Sequence, residues 1–321
     1  MSGRINLPPY PRGWFAVDVS AALAPGEVKP CRYFGRDLVL FRTTAGEATL
    51  FDAHCPHLGA HLGHGGTVEG ENLVCPFHGW SFGRDGACTG MPYGKRIPAT
   101  ATARAWSVRE QSGVILAWHD LEGGDPDWEM PLFDDEELTE PMAMRRTIHG
   151  HPQEVMENSA DFGHFRFIHQ THLVRAVGET RNEGPVLEFQ IESDPEALVP
   201  ELRLDQSVME GLSICHGPGL SAATLVPKGS GLKALQRLYV TPIDEERIEL
   251  RGLVSVGKLD DPAAAETFAS TLTEAVFAQW DNDIPIWEHK VYREKPALNE
   301  VDSRIPEFRR WYSQFYTSPT G

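Results

Sequence analysis

Two short cysteine–histidine motifs constrain the fold of this chain more than any other feature of its sequence. Residues 55–59 read Cys-Pro-His-Leu-Gly, and residues 75–80 read Cys-Pro-Phe-His-Gly-Trp. Seventeen residues separate the histidine of the first motif from the cysteine of the second. Each motif pairs a thiolate with an imidazole in a Gly- and Pro-containing loop, whose backbone can wrap closely around a metal centre. The sequence therefore predicts two loops that hold one metal centre between them.

Two kinds of metal centre have this set of two thiolates and two imidazoles. In a Rieske [2Fe–2S] centre, two cysteines hold one iron and two histidines hold the other. Zinc also takes two cysteines and two histidines, but it accepts either residue in either loop and does not need this order. We therefore predict a [2Fe–2S] cluster and keep structural zinc as the alternative. The predicted ligands are Cys55, His57, Cys75 and His78. For the nearby His54, His61 and His64 we predict ordinary loop or surface hydrogen bonds.

The cysteine count, the net charge and the hydropathy limit which partners and which cellular location we expect. Five cysteines in 321 residues is an odd number, and the first residues contain no apolar run typical of a signal peptide. A disulfide framework is therefore not expected, and Cys31, Cys88 and Cys215 are expected to be structural. The net charge of −17 disfavours nucleic acids and anionic lipids as partners. Without any run of ~20 apolar residues, no membrane span is expected, and we predict a cytoplasmic location.

The first third of the chain is typical of short strands separated by turns. Residues 32–41 predict two strands around a turn at Gly35, and residues 108–118 predict a further hairpin. Residues 122–141 are rich in Gly, Pro and acidic side chains. We interpret them as the connection between two domains, with a surface loop inside one domain as the alternative. The predicted boundaries are 1–125 for an all-β metal domain, 126–142 for the linker and 143–321 for the second domain.

The second domain has a different pattern. A helix is predicted from Gln153 to about Ile168, and another from about Pro262 to Glu294. Between them, alternating apolar and polar residues predict strands of an antiparallel sheet with one buried face. The clearest of these strands are 186–191, 234–240 and 247–256. A helix, a meander and a long C-terminal helix make an α+β domain.

The first of these helices carries a second set of metal-ligand residues. At ~100° per residue, a continuous helix places His164 about 60° to one side of Asp161 and His169 about 80° to the other. Two imidazoles and one carboxylate form a facial triad that suits Fe(II) and leaves coordination positions open for dioxygen. Because helices with two histidines often bind no metal, this pattern alone is only moderately specific.

The C-terminal helix offers the third ligand. Asp283 lies on an apolar stripe that a helix of this sequence presents on one face. The stripe consists of Leu272, Val276, Trp280, Trp287 and Val291. A carboxylate buried there needs a cation to neutralise it. We predict Asp283 as the third iron ligand and Asp281 as the reserve. The alternative is an aspartate that faces water at a kink before Pro285.

With both sets of residues, the sequence resembles the terminal oxygenase component of Rieske non-haem iron oxygenases over nearly its whole length. That resemblance implies an N-terminal Rieske domain followed by a helix-grip catalytic domain, in which an antiparallel sheet holds the long C-terminal helix. The pattern Asn-x-x-Asp-x-x-His-x-x-x-x-His matches Asn158, Asp161, His164 and His169. It implies a catalytic role for Asn158. It also implies that Asp161 links a Rieske histidine of one subunit to an iron histidine of its neighbour, in a head-to-tail ring that is usually a homotrimer.

Four stretches look like the branch that contains 3-ketosteroid 9α-hydroxylases and cholesterol 7-desaturases. They are residues 8–14, 56–63, 151–158 and 283–290. This likeness implies hydroxylation or desaturation of an apolar, steroid-like fused-ring substrate. O-demethylation or hydroxylation of an aromatic or alkaloid-like metabolite on the same scaffold is the alternative. A Rieske electron carrier without oxygenase chemistry is the alternative from another class.

The chain contains no clear site for a nucleotide that would supply electrons. Its best G-x-G-x-x-G-like stretch, residues 217–222, has Pro218 inside the turn and no βαβ context. Neither a Walker A motif nor the four-cysteine spacing of a plant-type ferredoxin is present. We therefore expect no bound nucleotide and a separate NAD(P)H-dependent reductase as partner, with or without a ferredoxin.

Overall fold

The computed structural model describes residues 4–94, 96–133, 137–169, 174–193, 209–227, 233–258 and 262–316. The chain divides into two compact units. The small unit comprises Trp14–Asp127 and Pro242–Glu245, and the large unit comprises Met1–Gly13, Trp128–Thr241 and Glu246–Gly321. The acidic residues 134–136 of the predicted linker lie outside the described part of the chain.

The first residues of the chain belong to the large unit, whereas the sequence placed them in the metal domain. The guanidinium of Arg4 donates to the carbonyl oxygens of Trp287 (2.7 Å) and Lys290 (2.8 Å). The amide of Arg12 donates to the carbonyl oxygen of Phe315 at 2.7 Å. These hydrogen bonds hold the first residues of the chain on the large unit. Their partners are far away in the sequence, so no local sequence pattern predicts them.

A turn from the second half of the chain belongs to the small unit. The backbone amides of Phe34 and Gly35 donate to the carbonyl oxygens of Pro242 and Ile243, both at 2.9 Å. Residues 242–245 therefore pair with the turn at Phe34–Gly35, where both residues have positive φ angles of 54° and 71°. Only the tertiary structure shows that this short segment belongs to the small unit.

The small unit is built from strands in the part of the chain that is described. These are β1 Gly13–Val19, β2 Val28–Tyr33, β3 Arg36–Arg42, β4 Ala48–Asp52, β5 Thr67–Glu69, β6 Asn72–Val74, β7 Ser81–Phe82, β8 Cys88–Gly90, β9 Val108–Gln111 and β10 Val114–His119. They form sheets with the orders β1-β10-β9, β2-β3-β4 and β5-β6-β7-β8. The antiparallel pairs β2–β3 and β9–β10 confirm the two predicted hairpins. Phe41, Phe51, Leu73 and Phe82 lie in its buried core.

The large unit combines one long sheet with helices, which confirms the α+β class. Its strands are β11 Met142–His149, β12 Val174–Glu183, β13 Val186–Ser193, β14 Met209–His216, β15 Leu220–Pro227, β16 Ala234–Pro242 and β17 Arg247–Val256. Its helices are α1 Pro152–Met156, α2 Gly163–Ile168, α3 Pro262–His289 and α4 Ile305–Tyr312. The sheet order is β11-β17-β16-β15-β14-β13-β12.

Helix α3 packs on the sheet through the apolar stripe that the sequence predicted. Leu272 and Val276 are buried against Ala234 of β16 and Val254 of β17. The helix ends at His289 rather than at residue 294. Val291 therefore lies beyond the helix and is 49% exposed, so the stripe ends at Trp287. None of the helices in the described residues is both long and apolar enough to cross a membrane.

The single helix predicted over residues 153–168 is wrong. Helix α1 ends at Met156 and continues only as a 3₁₀ turn, Glu157–Ser159. The Oδ1 atom of Asp161 accepts hydrogen bonds from the backbone amides of Gly163 (3.0 Å) and His164 (3.3 Å), at the start of α2. An aspartate competes in this way with the backbone hydrogen bonds of a helix and starts a new one instead. His169 follows the last residue of α2.

Candidate metal centres and the adjoining cavity

The two cysteine–histidine loops of the small unit have the same backbone arrangement. In the first, the amide of Cys55 donates to the carbonyl of Ala60 (2.8 Å), and the amide of Gly59 donates back to Cys55 (2.9 Å). In the second, Cys75 donates to Trp80 (2.8 Å), and Gly79 donates to Cys75 (3.0 Å). Each loop is thus closed by two backbone hydrogen bonds at its cysteine. Gly79 has a φ of 69°, and a Cβ atom there would lie 2.8 Å from Pro92, so only glycine fits.

The side chains of these two loops meet. The ring centroids of His57 and His78 are 4.7 Å apart, and their Nδ1 atoms are buried without a hydrogen-bond partner in the described residues. Cys55 and Cys75 are each 3% exposed. Burial, together with the neighbouring Cys75 thiol, raises the pKa of Cys55 to about 11. Two unpaired imidazole nitrogens and two buried thiols that need a cation to ionise fit a [2Fe–2S] cluster.

Aromatic side chains in and after the second loop hold the histidine of the first loop in place. The indole of Trp80 stacks on the imidazole of His57, with centroids 4.3 Å apart and an interplanar angle of 7°. The indole Nε1–H donates to the hydroxyl of Tyr93 at 3.0 Å. This hydrogen bond fixes the plane of the indole, which in turn limits the rotation of His57.

The other histidines of this region form a separate group. The rings of His54 and His61 lie 5.2 Å apart, and those of His61 and His64 lie 4.4 Å apart. The Nδ1 atom of His61 accepts a hydrogen bond from the amide of Gly63 at 3.1 Å. This loop hydrogen bond is the role that the sequence predicted for His61. His54 and His64 are exposed.

In the large unit, His164, His169 and Asp283 come together. One ligand atom from each lies within 4.8 Å of the others. The Nε2 atom of His169 is 3.3 Å from Oδ2 of Asp283, and the two side chains are 3% and 6% exposed. A carboxylate and an imidazole so fully removed from water favour a bound cation. The cation neutralises the carboxylate, and the imidazole coordinates the cation. The three residues therefore fit a mononuclear iron.

Of the two aspartates considered on α3, Asp283 is the buried one. It is 4% exposed, so the alternative of an aspartate that faces water does not hold. Asp281 instead forms a two-point ion pair with the guanidinium of Arg146, with both hydrogen bonds at 3.0 Å. The side chains of that pair are more than 40% exposed. Two residues along a helix differ by about 200° in direction, which accounts for the different surroundings.

Asp161 lies next to this group but not between its histidines. Its carbonyl oxygen is 2.5 Å from Nδ1 of His164. Since a carbonyl only accepts, Nδ1 carries the proton and Nε2 keeps the lone pair that a metal requires. Burial raises the pKa of the Asp161 carboxyl, but hydrogen bonds from the His164 side chain and from the backbone amides of Gly163 and His164 outweigh that effect, and the net pKa is lowered. Asp161 is thus an anion that both starts α2 and orients His164.

A cavity opens beside the three residues. The space between its walls is about 980 Å³, which includes the part that is open to solvent. Its apolar lining consists of Val155, Phe162, Phe165, Val174, Ile191, Ala223, Leu238, Trp280 and Trp287. Its polar lining, apart from the three ligand candidates, consists of Asn158, Ser159, Ser213, Ser221, Gln236 and Gln279.

Sequence reasoning predicted Asn158 but missed the other polar side chains of this cavity. The Oδ1 atom of Asn158 accepts a hydrogen bond from Nε1 of Trp287 at 3.3 Å, which holds that indole in the wall. On the sheet, Ser213 lies opposite Ala223 in the strand register. Ala223 in turn lies opposite Gln236. Small side chains in the middle strands leave the space that α3 does not fill. Such small residues on the inner face of β14 and β15 are the signal that could have predicted a cavity.

The G-x-G-x-x-G-like stretch has a different role. Residues 217–222 contain the turn between the antiparallel strands β14 and β15. A dinucleotide-binding motif instead joins a strand to a helix whose N-terminus faces the phosphates. The stretch therefore lacks the geometry of a dinucleotide site.

Comparisons with known proteins identify the families that this chain resembles. Residues 13–101 match the Rieske [2Fe-2S] domain family, and residues 117–316 match the 3-ketosteroid 9alpha-hydroxylase C-terminal domain family. The chain is 33% identical to a cholesterol 7-desaturase of Hemicentrotus pulcherrimus, with 97% of this chain and 71% of the relative covered. It is 28% identical to a 3-ketosteroid-9-alpha-monooxygenase, oxygenase component, of Rhodococcus rhodochrous, with 96% and 84% covered.

Solved structures share the fold. Dicamba monooxygenase bound to dicamba has a TM-score of 0.78 at 18% identity, with 96% of this chain and 98% of that chain covered. NdmA of Pseudomonas putida CBB5 with caffeine has a TM-score of 0.74 at 22% identity, with 93% and 89% covered.

The fold and the two sites together define a Rieske non-haem iron oxygenase. Within that class, the chain belongs to the family whose catalytic domain is the 3-ketosteroid 9alpha-hydroxylase C-terminal domain. The Rieske domain implies a [2Fe–2S] cluster, and the catalytic domain of Rieske oxygenases carries a mononuclear iron. As an oxygenase component it depends on a separate reductase or ferredoxin for electrons. Neither structural zinc nor a simple electron carrier is consistent with this family.

Proposed function

We propose that this chain hydroxylates or desaturates a C–H bond of an apolar, steroid-like fused-ring substrate, with O₂ and with electrons from a separate NAD(P)H-dependent reductase. The observation that carries this proposal is the opening of the His164, His169 and Asp283 group into a largely apolar cavity. Relatives named as a cholesterol 7-desaturase and a 3-ketosteroid-9-alpha-monooxygenase support the substrate class.

In this proposal the chain holds two metal centres with seven side chains. The cluster ligands are Cys55, His57, Cys75 and His78, and the iron ligands are His164, His169 and Asp283. The iron, when bound, supplies the activation of dioxygen for attack on a C–H bond, with electrons delivered through the cluster. The protein contributes the orientation of the imidazoles and the exclusion of water from the buried Asp283.

The cavity walls support a flat, apolar substrate. Trp280 and Trp287 flank Asp283 on α3, at three and four residues, and both line the cavity. Indole faces offer large apolar surfaces that stack on rigid ring systems at little conformational cost. The side-chain Oδ1 atom of Asn158 accepts a hydrogen bond from the indole of Trp287. Asn158 has a catalytic role in this proposal because it holds that indole in the cavity wall beside the iron site.

Asp161 is proposed to connect the iron site to the cluster of a neighbouring subunit. Its side chain is 32% exposed although its Oδ1 atom is used within the chain. A carboxylate that remains ionised and reachable can accept a hydrogen bond from a histidine of another copy. We therefore propose a head-to-tail homotrimer, and light scattering of the purified protein should give three times the chain mass of 35.7 kDa.

Metal and sulfide analysis of anaerobically purified protein tests the two centres. About three irons and about two acid-labile sulfides per chain, with a Rieske-type EPR signal after reduction by dithionite, are expected. Zinc without sulfide would contradict the proposal. Two irons with the signal would show that the three large-unit residues do not hold iron in the purified protein.

A substrate screen under ¹⁸O₂ tests the chemistry. Sterols, 3-ketosteroids and methoxylated aromatics are incubated with the reduced protein and a surrogate reductase, and products are identified by mass spectrometry. Gain of one labelled oxygen shows hydroxylation, and loss of two hydrogens shows desaturation. Conversion of methoxylated aromatics with release of formaldehyde, and no conversion of steroids, would instead establish the O-demethylase alternative.

A further inference from the structure

The polar residues of the cavity differ in whether they have partners. Ser159 and Ser221 share a hydrogen bond between their hydroxyl groups at 2.7 Å. The hydroxyl of Ser213 donates to the carbonyl oxygen of Ser159 at 3.5 Å. By contrast, the carboxamides of Gln236 and Gln279 make no hydrogen bond to any residue within the described part of the chain. These two carboxamides are therefore available to a ligand.

Gln236 and Gln279 lie on two different walls of the cavity. Gln236 is on β16, opposite Ala223 in the strand register, so the neighbouring strand does not shield its carboxamide. Gln279 is on α3, four residues before Asp283, which corresponds to one turn and about 6 Å along the helix. Residues four apart share a helix face, so Gln279 and Asp283 both face the cavity. One carboxamide thus belongs to the sheet wall and the other to the wall that carries an iron-ligand candidate.

A purely apolar ligand would leave both carboxamides without water and without partners. Each carboxamide has two N–H donors and one carbonyl acceptor. Removing such a group from water without a new hydrogen bond is unfavourable, so a site of this kind selects against ligands that lack a matching polar atom. An oxygen substituent on the ring system supplies that atom, since a ketone accepts from the amide and a hydroxyl both donates and accepts.

We propose that Gln236 and Gln279 bind a ketone or hydroxyl oxygen of the fused-ring substrate and so orient its rings towards the side chain of Asp283. This inference rests on the proposed function, because it assumes a fused-ring substrate in this cavity. It adds the two residues that determine specificity for an oxygen-bearing ring.

Equilibrium binding measures this directly and does not depend on turnover. Isothermal titration calorimetry is performed with a 3-ketosteroid, its 3-hydroxy counterpart and its 3-deoxy counterpart, on the wild type and on Gln236→Met and Gln279→Met. Methionine keeps the length of glutamine but removes its hydrogen bonds. Each variant should bind the oxygen-bearing steroids about 3- to 10-fold more weakly, the worth of one neutral hydrogen bond, and bind the deoxy steroid unchanged or more tightly.

Exposed amides on the same kinds of element serve as matched controls. Gln190→Met on β13 and Asn282→Met on α3 change residues that are exposed and do not line the cavity, and neither should alter binding. Circular dichroism and iron content verify that each variant is folded. If a methionine variant does not fold, Gln236→Asn and Gln279→Asn withdraw the amide by one methylene and should give the same selective loss.

The outcomes separate this inference from the proposed function. A loss confined to the ketone, or confined to the hydroxyl, supports the inference and tells which oxygen the amides bind. If the wild type binds all three steroids and the variants weaken all three equally, the substrate class stands and the inference is overturned. If the wild type binds none of them, the proposed substrate class is wrong and the inference fails with it.

Discussion

Replacement of Asp161 separates the role that this residue has in the structure from the inter-subunit role proposed for it. Its Oδ1 atom accepts hydrogen bonds from the backbone amides of Gly163 and His164. The proposed role is to link the iron site to the cluster of a neighbouring subunit. Asp161→Ala removes both roles. Asp161→Asn keeps a side-chain oxygen for the two amides but removes the negative charge. A comparison of the two variants therefore distinguishes a folding role from an electron-transfer role.

The structural role has a predictable size. Loss of a side-chain acceptor at a helix start costs about 1 kcal/mol, which is about fivefold in an equilibrium constant. Because α2 carries His164, Asp161→Ala should weaken Fe(II) binding by about fivefold, whereas Asp161→Asn should change it less than twofold. Turnover should be lost in both variants, because neither has the carboxylate that the proposed inter-subunit route requires.

Three measurements test this reasoning. Competition with a chelator under anaerobic conditions gives the Fe(II) affinity, the visible spectrum reports the cluster, and single-turnover product yield reports electron transfer. The cluster spectrum should be unchanged in both variants, since Asp161 is in the large unit. Normal turnover by Asp161→Asn would refute the inter-subunit route. Equal iron affinity of the alanine variant and the wild type would refute the structural role.

Three further predictions concern other parts of the large unit. Asp283→Asn should reduce the iron content per chain by about one third of the total, with the cluster spectrum intact, whereas Asp281→Asn should retain all of it, as metal analysis will show. A Cβ atom at Gly252 would lie 2.1 Å from the indole of Trp280, so Gly252→Ala should push that ring into the cavity and weaken steroid binding about tenfold in calorimetry. Adding Trp280→Phe should restore most of the affinity; no rescue would show that the indole is not displaced. Burial lowers the pKa of His151 to about 4, against about 6.5 in an unfolded chain, so protonation favours unfolding as the pH falls below 6.5. Stability at pH 5 should be about 2 kcal/mol lower than at pH 8 from this residue, and His151→Gln should reduce that difference in urea unfolding followed by tryptophan fluorescence.

Local spacing in the sequence was sufficient where the interacting residues are neighbours. The two loops of the small unit close through hydrogen bonds of no more than five residues' separation, such as Cys55 to Ala60. Cysteine, histidine, glycine and proline at that spacing leave few backbone arrangements. The two hairpins were equally predictable, because alternation of apolar residues around a turn is also a local property.

The sequence pattern was misleading where the same residues suit either one long helix or two short ones. Residues 153–168 have the periodicity of one helix, yet α1 ends at Met156, and Asp161 starts a separate helix by accepting hydrogen bonds from the amides of Gly163 and His164. The resulting break changes the direction of His169 relative to His164. The histidines still meet, but through the tertiary packing of α2 against α3 and not through a shared face of one helix.

What the sequence by itself determined is therefore the class of the protein: the two kinds of metal-ligand set, the order of the domains and the strands of the sheet, all of which depend on residues close together in the chain. The sequence also favoured Asp283 over Asp281, but only the tertiary structure shows that Asp283 is the buried carboxylate, because the rotation of α3 on the sheet sets which side chain is covered. The tertiary structure also decided which polar side chains line the cavity, since strands and helices far apart in sequence contribute one wall each. Side-chain surroundings of that kind arise from packing between distant segments, which no local pattern encodes.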